Sequence, residues 1–258
     1  MPTLAVLILT KNEEANISQV VRNAFECANQ VVVIDSGSSD NTIKLAEEQG
    51  AKVCYREWDN DFAAQRNFGL LQTENDWVLY LDADERLDSK LIKSIKKVLL
   101  LDDRTKQYIM QRKSVAFGTE FNHGVLYPDY VKRMFPRTAV KWVHKVHEHP
   151  QCSLTPENLE GHIIHYTYKD WQHWESKLCQ YTTIWANDAF QQGKEISLPG
   201  IFLHSFGGFA KMFFLRAGFM DGWMGVYMCF NHFFYTMLKY LKLHELQREN
   251  DKKCESRF

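Results

Sequence analysis

The residues with the clearest chemical potential are two acidic clusters, Asp35-Ser-Gly-Ser-Ser-Asp40 and Asp82-Ala-Asp84-Glu85, each directly after a short apolar run. Two carboxylates at i and i+2 leaving a strand point the same way, so Asp82 and Asp84 could share one divalent cation and the phosphate oxygens it holds. An isolated D-x-D more often caps a helix, here one beginning near Asp88. Its place behind a buried strand, with a second strand-terminal carboxylate at Asp35, favours the cation, because crowded like charges are costly unless something positive joins them. A third cluster, Trp142-Val-His144-Lys145-Val-His147-Glu148-His149, combines histidines with a carboxylate. No cysteine or acidic set nearby completes a closed tetrahedral zinc site, so His147 reads as a residue that orients an acceptor or a diphosphate. His165, behind Ile163 and Ile164, is either a further metal or diphosphate ligand or a hydrogen-bonded core histidine.

Chemistry at these positions requires elements that bring them together. Residues 3 to 10, 31 to 35, 51 to 55 and 77 to 81 are short aliphatic runs, and amphipathic stretches near 14 to 27, 41 to 49, 62 to 73 and 88 to 100 separate them. That alternation predicts a parallel sheet flanked by helices, an α/β nucleotide-binding half-domain over the first hundred residues. Ligands of such sheets bind beyond the carboxyl ends of the strands, where both acidic clusters fall. Short strands and turns are predicted from about 106 to 165, and helix from about 169 onward, with Trp171, Trp174, Leu178, Tyr181 and Trp185 lining one helix face. The last ten residues or so are polar and read as frayed.

Bulk properties exclude several classes. The chain has 258 residues, 45% apolar and 24% charged, with a net charge of −1, which suits one large folded domain or a catalytic domain with an appendage. No Lys/Arg run is long enough to track a phosphate backbone, so nucleic acid is not an expected partner. The six cysteines lack C-x-x-C spacing and fit reduced thiols in a cytoplasm. The first strand is followed by Thr10-Lys11-Asn12-Glu13-Glu14, which has no glycine, so a dinucleotide fingerprint is absent, as is a P-loop. No uninterrupted apolar stretch of about 18 residues appears, so no transmembrane helix is expected. From Ile196 to Lys242 there are thirteen aromatic residues, with four Lys/Arg against the single acid Asp221. This region reads either as a membrane-interface attachment or as packing against the catalytic domain or a partner.

At this point the chain resembles the family 2 glycosyltransferases of GT-A fold. TKNEEANI, VIDSGSSDNT, DFAAQRNFGL and LDADE are similar to four of its motifs in order and spacing, all within the first 90 residues. RMFPRTAVKWVHKVHE and RAGFMDGWMG further resemble a bacterial subgroup acting on lipopolysaccharide core, including β-1,4-glucosyltransferases. The resemblance implies a GT-A catalytic domain over residues 1–168, with a nucleotide half to about 100 and an acceptor half beyond it, and a helical C-terminal region over 169–258. It implies an inverting transfer from a UDP-sugar, expected to be UDP-glucose, to a lipopolysaccharide-core or related glycolipid, with Mn2+ or Mg2+ as cofactor. It places the protein in the cytoplasm, peripheral to the inner face of a bacterial inner membrane. By position, Asp35 would accept from the uracil N–H or only cap its loop, Thr10 and Glu13 would line the nucleoside pocket, and Arg66 would bring positive charge to the nucleotide. Asp84 would hold the metal, and Asp82 would contact the ribose or, through water, the metal. Glu148 would be the general base, with Asp129 as competitor. A polyprenyl-phosphate acceptor, which needs no base, and a non-catalytic sugar-nucleotide-binding scaffold are the rival readings.

Overall fold

The computed structural model describes residues 1–144, 148–168 and 170–255, except the side chains of residue 173 and residues 251–255. In chain order the elements are β1 (Leu4–Thr10), α1 (Ile17–Phe25), β2 (Gln30–Asp35), α2 (Thr42–Glu48), β3 (Lys52–Tyr55), α3 (Phe62–Leu70), β4 (Trp77–Asp82), β5 (Glu85–Leu87), α4 (Ser89–Leu101), β6 (Lys106–Ala116), β7 (Thr119–Glu120), β8 (Asp129–Pro136), β9 (Lys141–Val143), β10 (His149–Gln151), β11 (Thr155–Tyr168), α5 (Trp171–Gln191), α6 (Leu198–Ala210) and α7 (Gly222–Glu255). They form two compact units, one of residues 1–113 and 129–166, the other of residues 114–128 and 167–258.

The first unit holds a sheet in the order β3-β2-β1-β4-β8-β6-β11-β5. β3, β2, β1 and β4 are parallel, as the alternation of runs and helices predicts, and beyond β4 the pairings with β8 and between β8 and β6 are antiparallel. Strand order reverses around β1, with β2 on one side and β4 on the other, which opens a crevice at their carboxyl ends. The central strands read as unbroken apolar runs because both faces are covered. Leu4, Val6 and Ile8 meet Ile17, Val20 and Val21 of α1 and Leu91 and Ile95 of α4. The alternate residues Ala5, Leu7, Val78 and Tyr80 meet Ala63 of α3 and Trp142 of β9.

Two glycines set the approach of elements that carry site residues. A Cβ at Gly69 would lie 2.7 Å from Ile34 Cδ1, so its absence lets α3 rest directly on the sheet. Gly161 in β11 has φ +98°, and a Cβ there would meet the Leu91 backbone nitrogen. Only glycine allows β11 to cross the first turn of α4, which Asp88 caps by accepting from the Leu91 N–H at 2.7 Å.

The second unit is helical, with residues 114–128 packed among the C-terminal helices. Ala116 and Phe121 share a core with Met224 and Met228 of α7, and the Asp221 carboxylate accepts from the Asn122 and His123 N–H groups at 3.0 and 2.8 Å. Trp171, Trp174, Leu178, Tyr181 and Trp185 line one face of α5, as their spacing predicts, with Trp171 and Trp185 against Tyr227 and Tyr240 of α7; the fully covered positions of α5 include Thr182, Ala186 and Ala189. α7 continues as helix to Glu255, so of the last ten residues, expected to be frayed, those as far as 255 are helical; residues 256–258 lie outside the described residues. Leu198–Leu215 is, among the described residues, a helical segment long and apolar enough to cross a membrane; a mean hydropathy of 1.3 tolerates His204 and Lys211, which interrupt the run in the sequence.

Candidate functional site

The parallel register delivers the predicted residues to the crevice. Thr10 ends β1 opposite Asp35, the end of β2, and Leu9 lies opposite Asp82, the end of β4. Thr10 and Asp35 share the parity of the α1 and α4 face, whereas Asp82 follows Val78 and Tyr80 onto the α3 face. Thr10 Oγ1 is buried and has no hydrogen-bond partner in the protein, the state of a hydroxyl that needs a ligand or water to satisfy it.

Asp35 is fully buried, and its carboxylate accepts from Gly37 N–H at 2.8 Å, Ser38 N–H at 3.0 Å and the Ser38 hydroxyl. It therefore caps its own loop, whatever else it binds. The first two loops are laced together across the crevice. Asn12 N–H donates to Ser38 Oγ at 2.9 Å, Ser39 N–H returns to Asn12 Oδ1 at 2.8 Å, and Glu13 N–H reaches Thr42 Oγ1 at 2.8 Å. The Glu13 carboxylate accepts from Asn16 Nδ2 at 2.7 Å, which steadies the entry to α1.

From Arg66 of α3 runs a linear chain of opposite charges. Arg66 Nη2 reaches Glu148 Oε1 at 3.4 Å and Asp82 Oδ1 at 3.1 Å. Arg133 Nη2 bridges Asp82 Oδ2 at 2.8 Å and Glu85 Oε1 at 2.9 Å. Arg112 then joins Glu85 at 3.1 Å to Asp129 at 2.7 Å. Arg66 is buried, and its guanidinium lies 4.6 Å from the Trp142 ring and 5.9 Å from Tyr80. Its Nε and Nη1 have no partner in the protein. Glu148 and Asp129, the two candidate bases, occupy opposite ends of this chain.

The charges set the acidity of the middle members. Loss of water pushes the Asp82 carboxyl up, but Arg133 first and Arg66 next outweigh it, so Asp82 ends well below the usual carboxylate range. Burial pulls the Arg133 guanidinium down, and Asp82 and Glu85 more than restore it.

The D-x-D does not behave as two residues of one extended strand. β4 ends at Asp82 and Ala83–Asp84 form a turn, so the period of two stops there. Asp82 faces the arginines, and Asp84 Oδ2 faces His165 Nε2 at 3.3 Å. β11 makes that meeting, since His165 pairs with Glu85 and Tyr166 N–H donates to the Asp84 carbonyl at 2.9 Å. Two donor atoms on one small cation, each about 2.1 Å from it, lie about 3 Å apart, so the Asp84 and His165 pair fits a divalent ion. Among the described residues no group of three His, Cys, Asp or Glu side chains could hold an ion, so the fit is to a cation whose remaining donors come from a ligand. His147 lies outside the described residues. His144 and His149 have ring centroids 4.9 Å apart.

Sequence reasoning passed over Arg133, Arg112 and the structural part played by Glu85. A signal was present in Arg133-Met-Phe, where a charge stands inside a run that is otherwise buried strand; a buried arginine implies carboxylate partners.

Residues 5–155 match the profile described as glycosyl transferase family 2. An uncharacterized glycosyltransferase of Rickettsia typhi is 26% identical over 258 residues, covering 95% of this chain and 88% of that protein. The lipopolysaccharide core biosynthesis glycosyltransferase LpsC of Rhizobium meliloti is 26% identical over 208 residues, covering 74% and 73%. Among solved structures, TarS of S. aureus superposes with a TM-score of 0.46 at 14% identity, over 84% of this chain and 45% of that one. Glucosyl-3-phosphoglycerate synthase of Mycobacterium tuberculosis gives 0.36 at 24% identity, over 45% of each chain.

Proposed function

The chain belongs to glycosyl transferase family 2 and is a glycosyltransferase, and from that premise we propose that it moves glucose from UDP-glucose to a hydroxyl of a lipopolysaccharide-core or related glycolipid, inverting the anomeric centre. The observation that carries this reading is the convergence of Thr10, Asp35, Asp82, Arg66 and Glu148 at the carboxyl ends of β1, β2 and β4, with the unpartnered Thr10 hydroxyl and Arg66 N–H groups among them. Thr10 and Asp35 suit the nucleoside, and Arg66 suits the diphosphate, as a guanidinium whose N–H groups match phosphate oxygens. The likeness to LpsC supports the acceptor class.

In this reading the acceptor oxygen attacks the anomeric carbon, its proton passes to Glu148, and the bond to UDP breaks with its electron pair on the diphosphate. Asp84 and His165 would hold Mn2+ or Mg2+, which supplies positive charge for the departing diphosphate. Glu148 fits the base better than Asp129. Its contact with Arg66 is long at 3.4 Å, whereas Asp129 is clasped by Arg112 at 2.7 Å, the length of a full charge-assisted bond.

The test is a panel of nucleotide sugars offered to the purified protein with Mn2+ or Mg2+, read by thermal protection and by transfer to lipopolysaccharide core. Selective protection by UDP-glucose with transfer to the core supports the reading. Protection by another nucleotide sugar, or transfer only to a polyprenyl phosphate, overturns it.

A further inference from the structure

The helical unit carries an apolar surface that nothing in that unit covers. Leu198–Leu215 has only 11% of its residues buried. On α6, Phe202, Leu203 and Phe206 point outward, with Leu203 74% exposed, while Ile201 and Ser205 on the other side are buried. Gly208 faces His232 and Thr236 of α7, so the two helices approach closely at that point. The helix ends in a tip where Phe214 and Leu215 are exposed, Leu215 by 83%, and the returning chain adds Met220 and Trp223, the latter 74% exposed. Phe206 contacts Phe233 and Phe209 contacts Phe230 at 5.0 Å between centroids, so the aromatic surface continues from α6 onto α7. Soluble monomers rarely expose a contiguous apolar patch larger than a few hundred Å2.

The charges decide what could cover it. Between residues 198 and 242 the only acid is Asp221, and its carboxylate is turned inward onto the Asn122 and His123 N–H groups and His123 Nδ1. The charges on the outer surface at the tip are those of Lys211 and Arg216, both exposed. A second copy of this face would oppose like charges, and a protein partner would find few hydrogen-bonding groups on it. An aromatic face edged by lysine and arginine matches the boundary of an anionic bilayer.

We propose that the α6–α7 hairpin seats its tip, Phe214 to Trp223, in the headgroup boundary of an anionic lipid surface, with Lys211 and Arg216 on the lipid phosphates. The attachment is interfacial, because one side of α6 stays packed on α7 and the chain turns back after Leu215. The experiment uses the full chain and no sugar substrate, so it is independent of the transfer reaction. Binding to vesicles of phosphatidylcholine alone, and of phosphatidylcholine with phosphatidylglycerol, is measured by flotation and by the shift of tryptophan emission. The protein should float with the anionic vesicles and weakly or not at all with the neutral ones. Lys211→Glu with Arg216→Glu should weaken anionic binding by at least about tenfold. Phe214→Asp with Leu215→Asp should abolish it with thermal unfolding unchanged, since both side chains are exposed. Equal binding to the two vesicle types, no binding to either, or a dimer that persists in solution and is lost with the Phe214 and Leu215 substitutions would overturn the proposal.

Discussion

At the scale of single residues, the ion-pair chain from Glu148 to Asp129 separates candidates that look alike in the sequence. Glu148→Gln keeps the side chain's size and removes its basic oxygen, so transfer should fall by about 10²- to 10⁴-fold with UDP-glucose affinity nearly unchanged. Asp129→Asn should leave most of the turnover intact and loosen Arg112 instead. A comparison of kcat and donor Kd for the two variants checks this, and near-normal transfer by Glu148→Gln would hand the base to another group. Asp82 supports a second expectation. Its carboxyl titrates below the unfolded value of about 3.9, so its contribution to stability is complete above that pH and is lost as pH falls through the lower folded value. The difference in thermal midpoint between wild type and Asp82→Asn should therefore be flat from neutral pH to about pH 5 and shrink below pH 4. A difference that vanished near pH 6 would mean that Asp82 is not held by its arginines. Both acidic clusters were legible in the sequence because each follows an apolar run, and Arg66 was singled out only through the resemblance of DFAAQRNFGL to a family motif. Their partners were not. Nothing local ties Arg66 to Glu148, 82 residues away, or Arg133 to Glu85, 48 away; the sheet order alone brings them together.

At the scale of elements, the alternation of apolar runs and amphipathic stretches located β1 to β4 and their helices to within a few residues, since burial on both faces makes strands read as continuous apolar runs. The acceptor half was harder. Its strands are antiparallel with mixed exposure, and β11, fourteen residues long, runs through the largely polar Thr155–His162 before it reaches His165. What fixes β11 is Gly161, whose role depends on a neighbour, α4, that no local pattern reveals. Gly161→Ala should cost about 2 kcal/mol or more, from the positive φ and the clash with the Leu91 backbone together. Gly118→Ala, where φ is +74° and the added methyl meets nothing, should cost only about 1 kcal/mol. Denaturant unfolding of the two variants distinguishes strain alone from strain plus collision, and equal losses would mean that β11 does not depend on its crossing of α4.

At the scale of the whole molecule, the helical character of the C-terminal region was legible, but its claim on residues 114–128 was not, because that claim is made by Phe121 and the Asp221 carboxylate through contacts about a hundred residues apart. On the proposed reading, the Asp84 and His165 pair begins a cation shell without finishing it, and Arg66 Nε and Nη1 with Thr10 Oγ1, which lack hydrogen-bond partners in the protein, begin a nucleotide site. Each ligand thus completes the other's binding, and the two should be thermodynamically coupled, each raising the other's affinity by the same factor. UDP and Mn2+ together should raise the thermal midpoint by more than the sum of their separate effects, and a typical coupling of 1–3 kcal/mol corresponds to about 5- to 150-fold in UDP affinity. Asp84→Ala should remove the coupling while leaving the smaller, metal-free affinity for UDP in place, because Thr10, Asp35 and Arg66 are untouched. His165→Ala should weaken it in part, as the loss of one of two protein donors. The measurement is titration of UDP with Mn2+ and with EDTA for wild type and both variants. Equal UDP affinity under the two conditions for the wild type would show that the Asp84 and His165 pair is an ordinary ion pair, and that the diphosphate is held by Arg66 alone.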